Sequence, residues 1–309
     1  MNSSDTATAP APGGTATLAG HQVARIGFGV MQLAEHRPGR QPIDRDAAIA
    51  ILRTAVASGI NHLDTADFYG TNAANANDLI RAALHPYPES LVLATKVGAE
   101  RDAAGALVPA QRPEQLRAGV EANLARLGAE RLAVVNLRRV DAAPGIIAEG
   151  DQIVDLDSQL AELVALRDAG KVDGIGLSNV SVDQLRQALP AGIACVQNSH
   201  SPVDRAAEPV LDLCRKHDIA WVPFCPLGSA FPQWPKVADQ PAVRDAAEAL
   251  GVTSIQVGLA WHLAHYAHTL LIAGTADPAH LAENIAAGDV RLDSGTRAAL
   301  DAITVPPPS

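Results

Sequence analysis

The chain has 309 residues, 48% of them hydrophobic and only 3% aromatic, with a net charge of −10. That length suits a single α/β barrel with a large buried core, and an alanine-rich, aromatic-poor composition favours amphipathic helices over a β-sandwich. The negative charge argues against nucleic acid and anionic membrane surfaces as partners, and no apolar run reaches membrane-spanning length.

In chain order, MNSSDTATAPAPGG lacks both a basic start and an apolar signal core, so Met1 to about Gly14 reads as a flexible tail. The remainder, 15–309, reads as one domain. A hairpin is predicted over Ala16–Val23, turning at Gly20-His21. Strands are then predicted at Arg25–Val30, Ile60–Asp64, Leu91–Lys96, Ala133–Leu137, Gly174–Leu177, Ile193–Gln197, Ile219–Phe224 and Leu270–Ile272. Helical periodicity separates them at Arg45–Ser58, Ala74–Leu84, Arg112–Leu127, Asp157–Ala169, Ser181–Ala188, Ala206–His217 and Thr253–His265, and a last segment covers Pro278–Ala287. Asp44, Ser181 and Thr253 stand where N-caps belong, and Gly59, Gly128, Gly170 and Gly251 where helices stop. Two extra helices are expected at Pro241–Leu250 and Ser294–Ile303, and the terminal VPPPS is expected to be extended.

Strands alternating with helices imply parallel pairing through crossovers. Eight such units fit a closed (β/α)8 barrel. An open, doubly wound sheet would carry a GxGxxG turn, and Gly27-Phe28-Gly29 lacks the third glycine. In a barrel, the C-terminal strand ends form the active face. Asp64, Lys96, Arg138, Ser178, Asn179, Gln197 and Phe224 all fall there.

Within this set, Asp64 and Tyr69 are five residues apart in HLDTADFYG, and Lys96 ends the next strand. A phenol is a poor acid near neutral pH. A nearby ammonium favours phenolate, and a carboxylate keeps the ammonium in place. The three together make a tunable general acid/base. Three cysteines, Cys195, Cys214 and Cys225, form no CxxC pair, which points to a reduced, cytoplasmic setting. His262, His265 and His268 recur every three residues, a spacing that drifts round a helix with no acid adjacent, so they are read as lining a helix surface and no metal site is expected. Trp221 and Trp261 sit in core-like runs, whereas Trp234 lies in a loop that could wall a substrate pocket.

At this point the sequence resembles the aldo-keto reductases, from about Leu18 to the end. The resemblance rests on Gly27-Phe28-Gly29-Val30-Met31, HLDTADFYG, LATKVG, Gly176-Leu177-Ser178-Asn179, Val196-Gln197-Asn198, Pro223-Phe224-Cys225-Pro226-Leu227-Gly228 and Ala273-Gly274-Thr275 with His280-Leu281-Ala282-Glu283-Asn284, in that order. It implies metal-free hydride transfer between a nicotinamide cofactor and a small-molecule carbonyl. Tyr69 would donate a proton to the carbonyl oxygen, Lys96 would lower the phenol's pKa, and Asp64 would orient Lys96. The cofactor would run past Gly29, Val30, Met31 and Asp64. Its carboxamide would meet Ser178, Asn179 and Gln197, and its ring would stack on Phe224 beside Cys225. Pro226, Leu227 and Gly228 would lie along the pyrophosphate. Gly274, Thr275, His280, Glu283 and Asn284 would hold the adenosine end.

Two departures stand out. Arg138 replaces the family's usual histidine at the end of the fourth strand. It keeps a fixed positive charge and several donors but cannot shuttle a proton. Asn136, of the same strand parity, is the second candidate donor, and an ion pair with an acidic loop is the bland alternative for Arg138. Near the cofactor's 2′-phosphate, Gly274 and His280 stand where many relatives carry lysine and arginine. Thr275 and the amides opening the Pro278 helix can still receive a phosphate, so NADP(H) is preferred and NAD(H) stays open. The expected activity is reduction of an aldehyde or ketone. Two alternatives are a pyridoxal reductase and a nucleotide-sensing subunit with slow turnover. A sugar-phosphate lyase would give no reason for Ser178-Asn179. Substrate and oligomeric state are not legible.

Overall fold

The computed structural model describes residues 9–34, 43–71, 74–142, 145–228 and 234–305. One seven-stranded parallel sheet runs in chain order through Phe28–Gly29, His62–Asp64, Val92–Val97, Leu132–Arg138, Val172–Ser178, Ile193–Gln197 and Ala220–Trp221. The expected eighth strand survives only as bridges. Thr269 pairs with Trp221 and Leu271 with Ile26, both in parallel. Its amides nevertheless complete the cylinder, since Leu270 N donates to Trp221 O and Leu271 N to Arg25 O, each at 2.8 Å. The architecture is the expected (β/α)8 barrel.

Helices cover Arg45–Ala57, Ala76–Leu84, Pro113–Leu127, Leu156–Asp168, Val182–Ala188, Glu208–Lys216, Ser254–His265 and Pro278–Ala286, within two residues of expectation. The extra helices Pro241–Leu250 and Ser294–Asp301 are also present. Their starts are set locally. Asp44 accepts from Asp46 N and Ala47 N, and Ser181 and Thr253 form capping boxes with Gln184 and Gln256. Strand residues pointing outward, such as Leu63, Leu93, Val135, Leu137 and Leu177, pack against Leu52, Leu116, Leu163 and Leu185 of the helices. The barrel interior holds Val92, Ala94, Val134, Cys195, Ala220 and Leu270, joined by Leu18 and Val23 of the N-terminal hairpin. Each fully buried valine or leucine of this set contributes about 1.5–3 kcal/mol by leaving water, and the alanines less.

Several expectations are corrected. The hairpin strands are Thr15–Leu18 and His21–Ala24, so the turn is Ala19-Gly20 rather than Gly20-His21. Both turn residues have positive φ, 49° and 83°, the backbone that a two-residue hairpin loop demands. Of the tail expected over Met1–Gly14, residues 1–8 lie outside the described part. Residues 9–14 are packed: Ile26 N donates to Pro12 O at 3.1 Å and Arg25 N to Gly14 O at 2.8 Å. A Cβ on Gly288 would lie 2.4 Å from Gly13 N. Residues 9–14 therefore pack as part of the barrel domain, because the amides of Arg25 and Ile26 satisfy carbonyls of this segment. Of the expected extended end, 306–309 lie outside the described residues. Two small hairpins, Gly70–Thr71 with Ala74–Asn75 and Ala99–Arg101 with Leu107–Pro109, and a short helix, Met31–Ala34, were not anticipated.

Candidate active site

Asp64 ends the second barrel strand and Lys96 lies near the end of the third. Each is only 3% exposed. The Lys96 ammonium donates to Asp64 Oδ1 and, at 3.4 Å, to Thr65 O. Gln197 Nε2, from the sixth strand, donates to Asp64 Oδ2 at 2.8 Å. Both carboxylate oxygens are therefore held, one by a cation and one by an amide. Tyr69 follows on the loop after Asp64, 9% exposed, with Lys96 Nζ 5.0 Å from its ring centroid. The loop is fixed at both sides of the ring: Tyr69 N donates to Ala66 O, and Ala76 N to Tyr69 O, each at 3.1 Å. Gly70 makes the sharp return, with φ of 89° and no room for a Cβ, which would sit 2.0 Å from Ala74 O.

Burial pushes the Tyr69 phenol above its ordinary range, against the opposing pull of the Lys96 ammonium; Asp64 adds to the rise and Arg138 opposes it. The expected downward action of Lys96 is present, but desolvation outweighs it. Burial disfavours the Lys96 ammonium, yet Asp64 and Tyr69 more than compensate and hold its pKa above the usual lysine value. The pair that results is a protonated phenol beside a charged amine.

Arg138 pairs in register with Ser178 at the end of the fourth strand. Its Nε is enclosed with no hydrogen-bond partner, and no carboxylate among the described residues pairs with it. The acidic loop instead takes the neighbouring Arg139, whose Nη2 reaches Asp141 Oδ1 at 2.7 Å. Gly145 covers the guanidinium; a Cβ there would approach Arg138 Nη2 to 2.7 Å. Asn136, one layer deeper, is partly committed. Its Nδ2 donates to Thr95 O at 3.2 Å and its Oδ1 accepts from Cys195 Sγ at 3.3 Å.

The residues expected at the cofactor fall into three groups. Ser178 and Gln197 are 2% exposed at the strand ends. Asn179, at φ 59°, spends its amide on Arg139 O and Ala142 O at 3.2 and 3.0 Å, which leaves Oδ1 as its open acceptor. In the second group, the strand-seven loop places Phe224, Pro226, Leu227 and Gly228 half-buried. Cys225, expected beside Phe224 near the nicotinamide, is exposed with φ 52°. With Asn179, Asn198, Gly228 and Trp234 it lines a cavity of about 690 Å³. The third group lies where the first and eighth strands meet. A Cβ on Gly274 would lie 2.0 Å from Gly29 O, so its glycine is explained by barrel closure. Val30 is fully buried and bonded to Asp64 O at 2.9 Å, and Met31 is half-buried. Thr275 Oγ1 accepts from Asp277 N at 3.0 Å, and Asn284 Nδ2 donates to Ala273 O at 3.3 Å. Glu283 is half-buried, and His280 is exposed with Nδ1 3.9 Å from Asp277 Oδ2.

The histidines differ from expectation. His262 is buried, not on a helix surface, and its Nε2 lies 3.0 Å from Pro226 O in the strand-seven loop. His265 finds an acid after all, Glu208, which sequence separation hid. Glu208 Oε1 meets His265 Nε2 at 2.9 Å, His200 Nε2 at 3.2 Å and Arg205 Nε at 2.9 Å. A guanidinium on the shared oxygen already meets the charge that a metal would need. Trp221 and Trp261 are core residues as read, each 1% exposed.

The sequence profile described as the aldo/keto reductase family matches residues 25–305. The pyridoxine 4-dehydrogenase of Escherichia coli (strain K12) is 40% identical over 291 residues, covering 94% of this chain and 98% of that protein. Among solved structures, a thermostable aldo-keto reductase, Tm1743, in complex with the inhibitor epalrestat superposes with a TM-score of 0.74 at 22% identity, covering 93% of this chain and 98% of that one. An aldo-keto reductase from Klebsiella pneumoniae in complex with NADPH gives 0.73 at 24% identity, covering 91% and 90%.

Proposed function

This chain belongs to the aldo/keto reductase family, and on that premise we propose that it is an NADP(H)-dependent reductase of an aldehyde or ketone with Tyr69 as general acid. One observation carries the reading: Asp64, Tyr69 and Lys96 meet at one barrel mouth with the amine on the carboxylate and beneath the phenol ring. When bound, a reduced nicotinamide supplies the hydride. The protein's own part is to hold a proton at Tyr69 Oη against the carbonyl oxygen, with Lys96 stabilising the phenolate left behind. Asp64 and Gln197 fix where Lys96 stands. The Arg138 guanidinium, which pairs with no carboxylate among the described residues, offers donors for the developing charge on oxygen.

The open groups fit a nicotinamide carboxamide. Ser178 Oγ can donate to its oxygen, and Asn179 Oδ1 and Gln197 Oε1 can accept from its nitrogen. Phe224 would carry the ring. That a reductase of the same fold binds NADPH supports NADP(H) here. Thr275, His280 and the amides at the start of helix Pro278–Ala286 are the groups available to a 2′-phosphate. NAD(H) stays open because Asp277 already caps that helix, accepting from Ala279 N at 2.8 Å. A vitamin B6 aldehyde is the narrower substrate reading, supported by the name of the Escherichia coli relative. Among the described residues no helix is long and apolar enough to cross a membrane. Cys195, Cys214 and Cys225 form no disulfide with one another, which supports a reduced cytoplasmic setting.

Oxidation of NADPH and NADH with pyridoxal, a nitrobenzaldehyde and methylglyoxal tests this reading. Turnover with NADPH on at least one aldehyde is expected. Failure with every carbonyl and both cofactors would remove the reductase assignment in favour of a nucleotide-sensing role.

A further inference from the structure

A line of four buried polar side chains runs outside the barrel wall, behind Asp64 and Lys96. Thr65 Oγ1 donates to Asn77 Oδ1 at 2.8 Å, and Asn77 Nδ2 donates to Asn123 Oδ1 at 2.9 Å. Thr95 Oγ1 donates to that same Asn123 oxygen, and Asn123 Nδ2 ends the line on Gly119 O at 2.8 Å. None of the four is more than 1% exposed. Each of the four side chains donates one bond, and both amide oxygens accept.

The placement is specific. Thr65 directly follows Asp64, and Thr95 directly precedes Lys96. Along a strand, successive side chains face opposite ways. Asp64 and Lys96 therefore face the mouth while their threonine neighbours face the helices. The ladder continues between them, with Thr65 N donating to Ala94 O at 2.9 Å. Asn77 comes from helix Ala76–Leu84, which closes the Tyr69 loop, and Asn123 from helix Pro113–Leu127. The second helix lies close because residue 119 is glycine; a Cβ there would stand 3.1 Å from Val97 Cγ1. Apolar residues would bury equally well here with no bond to satisfy. What the line adds is fixed distances between two strands and two helices.

We propose that Asn77 and Asn123, through Thr65 and Thr95, are positioning residues that hold the Asp64 and Lys96 strand ends at the spacing needed for proton transfer by Tyr69. This rests on the assignment of Asp64, Tyr69 and Lys96 given above. None of the four touches substrate or cofactor in this account. They act through where the ammonium stands relative to the phenol.

Thr95→Val keeps the side-chain shape and removes one donor; Thr95→Ser keeps the donor. Thr95→Val should lower kcat roughly tenfold, since small misplacements near the reacting group are costly. KM and NADPH affinity should stay within about twofold of wild type. The alkaline limb of the reduction profile should move to higher pH, because a loosely held ammonium lowers the phenol's pKa less. The groups facing that phenol, Lys96, Asp64 and Arg138, and the buried Cys195 and His62 beyond Asp64, are chemically unchanged in the variant. Thr95→Ser should restore both rate and profile. Thr65→Val, at the other end of the line, repeats the test if Thr95→Val does not fold. A folded valine variant with a lower melting temperature but unchanged kcat and pH profile would overturn the proposal, as would failure of both valine variants to fold. Tyr69→Phe measured alongside separates the two levels. Turnover retained there would sink the underlying assignment, whereas an inactive Tyr69→Phe beside a wild-type-like Thr95→Val sinks only the positioning role.

Discussion

The ammonium of Lys96 lies 5.0 Å from the centre of the Tyr69 ring while donating to Asp64 Oδ1. The phenol therefore feels a cation that the carboxylate prevents from swinging away. Without that cation only the upward push of burial and of Asp64 remains, with Arg138 as the weaker counterweight.

Lys96→Met follows directly. The reduction rate should fall, and the pH at which activity declines on the alkaline side should rise, since phenolate forms less readily without the ammonium. The oxidation direction, which needs phenolate, should suffer more than reduction at neutral pH. A pH–rate profile identical to wild type would separate the two residues.

Arg138 is the residue at the mouth whose charge finds no acid among the described residues. Arg138→Leu should lower kcat/KM more for aldehydes bearing an anionic or phenolic oxygen than for neutral ones, by roughly 10-fold or more for the former if a charged hydrogen bond is lost. Arg138→His should keep reduction and add pH dependence near neutrality. Asn136 is the less open candidate, because its oxygen and one of its two N–H groups are already bonded inside the barrel. Equal kinetics for Arg138→Leu and wild type on every substrate would make Arg138 structural.

His62 gives a stability prediction. It is 2% exposed, and burial lowers its pKa from 6.5 to about 4 against the smaller upward pulls of Asp64 and of the Ala24 and Leu271 backbone. Between those values the unfolded chain binds a proton that the folded one refuses. Stability is then complete above pH 6.5 and is lost as pH falls toward about 4, by up to about 3 kcal/mol from this group. His62→Leu should flatten the fall of melting temperature across that window, leaving the share due to the buried His200 and His262. An unchanged slope would show that His62 takes up its proton without unfolding.

Much of this was legible because the signals are local. Period and caps give the strands and helices. Asp64 and Tyr69 share one loop, and Lys96 ends the next strand, so parallel pairing alone brings them together. What sequence hid is held by long-range partners. Gln197 reaches Asp64 across 133 residues, and Glu208 reaches His265 across 57. Neither pair carries a spacing rule. The ring of His62 explains why residue 27 is glycine, since a Cβ there would sit 2.1 Å from His62 Nε2. Neither cysteine at 225 nor alanine at 19 gave warning of its left-handed backbone. The threonines at 65 and 95 carried no signal as isolated residues; only the helices packed behind them reveal their bonds.

The central claim is that the Tyr69 phenol supplies the proton. Single-turnover reduction of a carbonyl by NADPH-loaded Tyr69→Phe, with NADPH affinity measured on the same preparation, tests it most directly. The expected result is a loss on the order of 10²-fold or more in the chemical step, with cofactor affinity within about twofold of wild type because the hydroxyl acts only in that step. A wild-type rate with intact cofactor binding would contradict it and move the acid role to another group at the mouth.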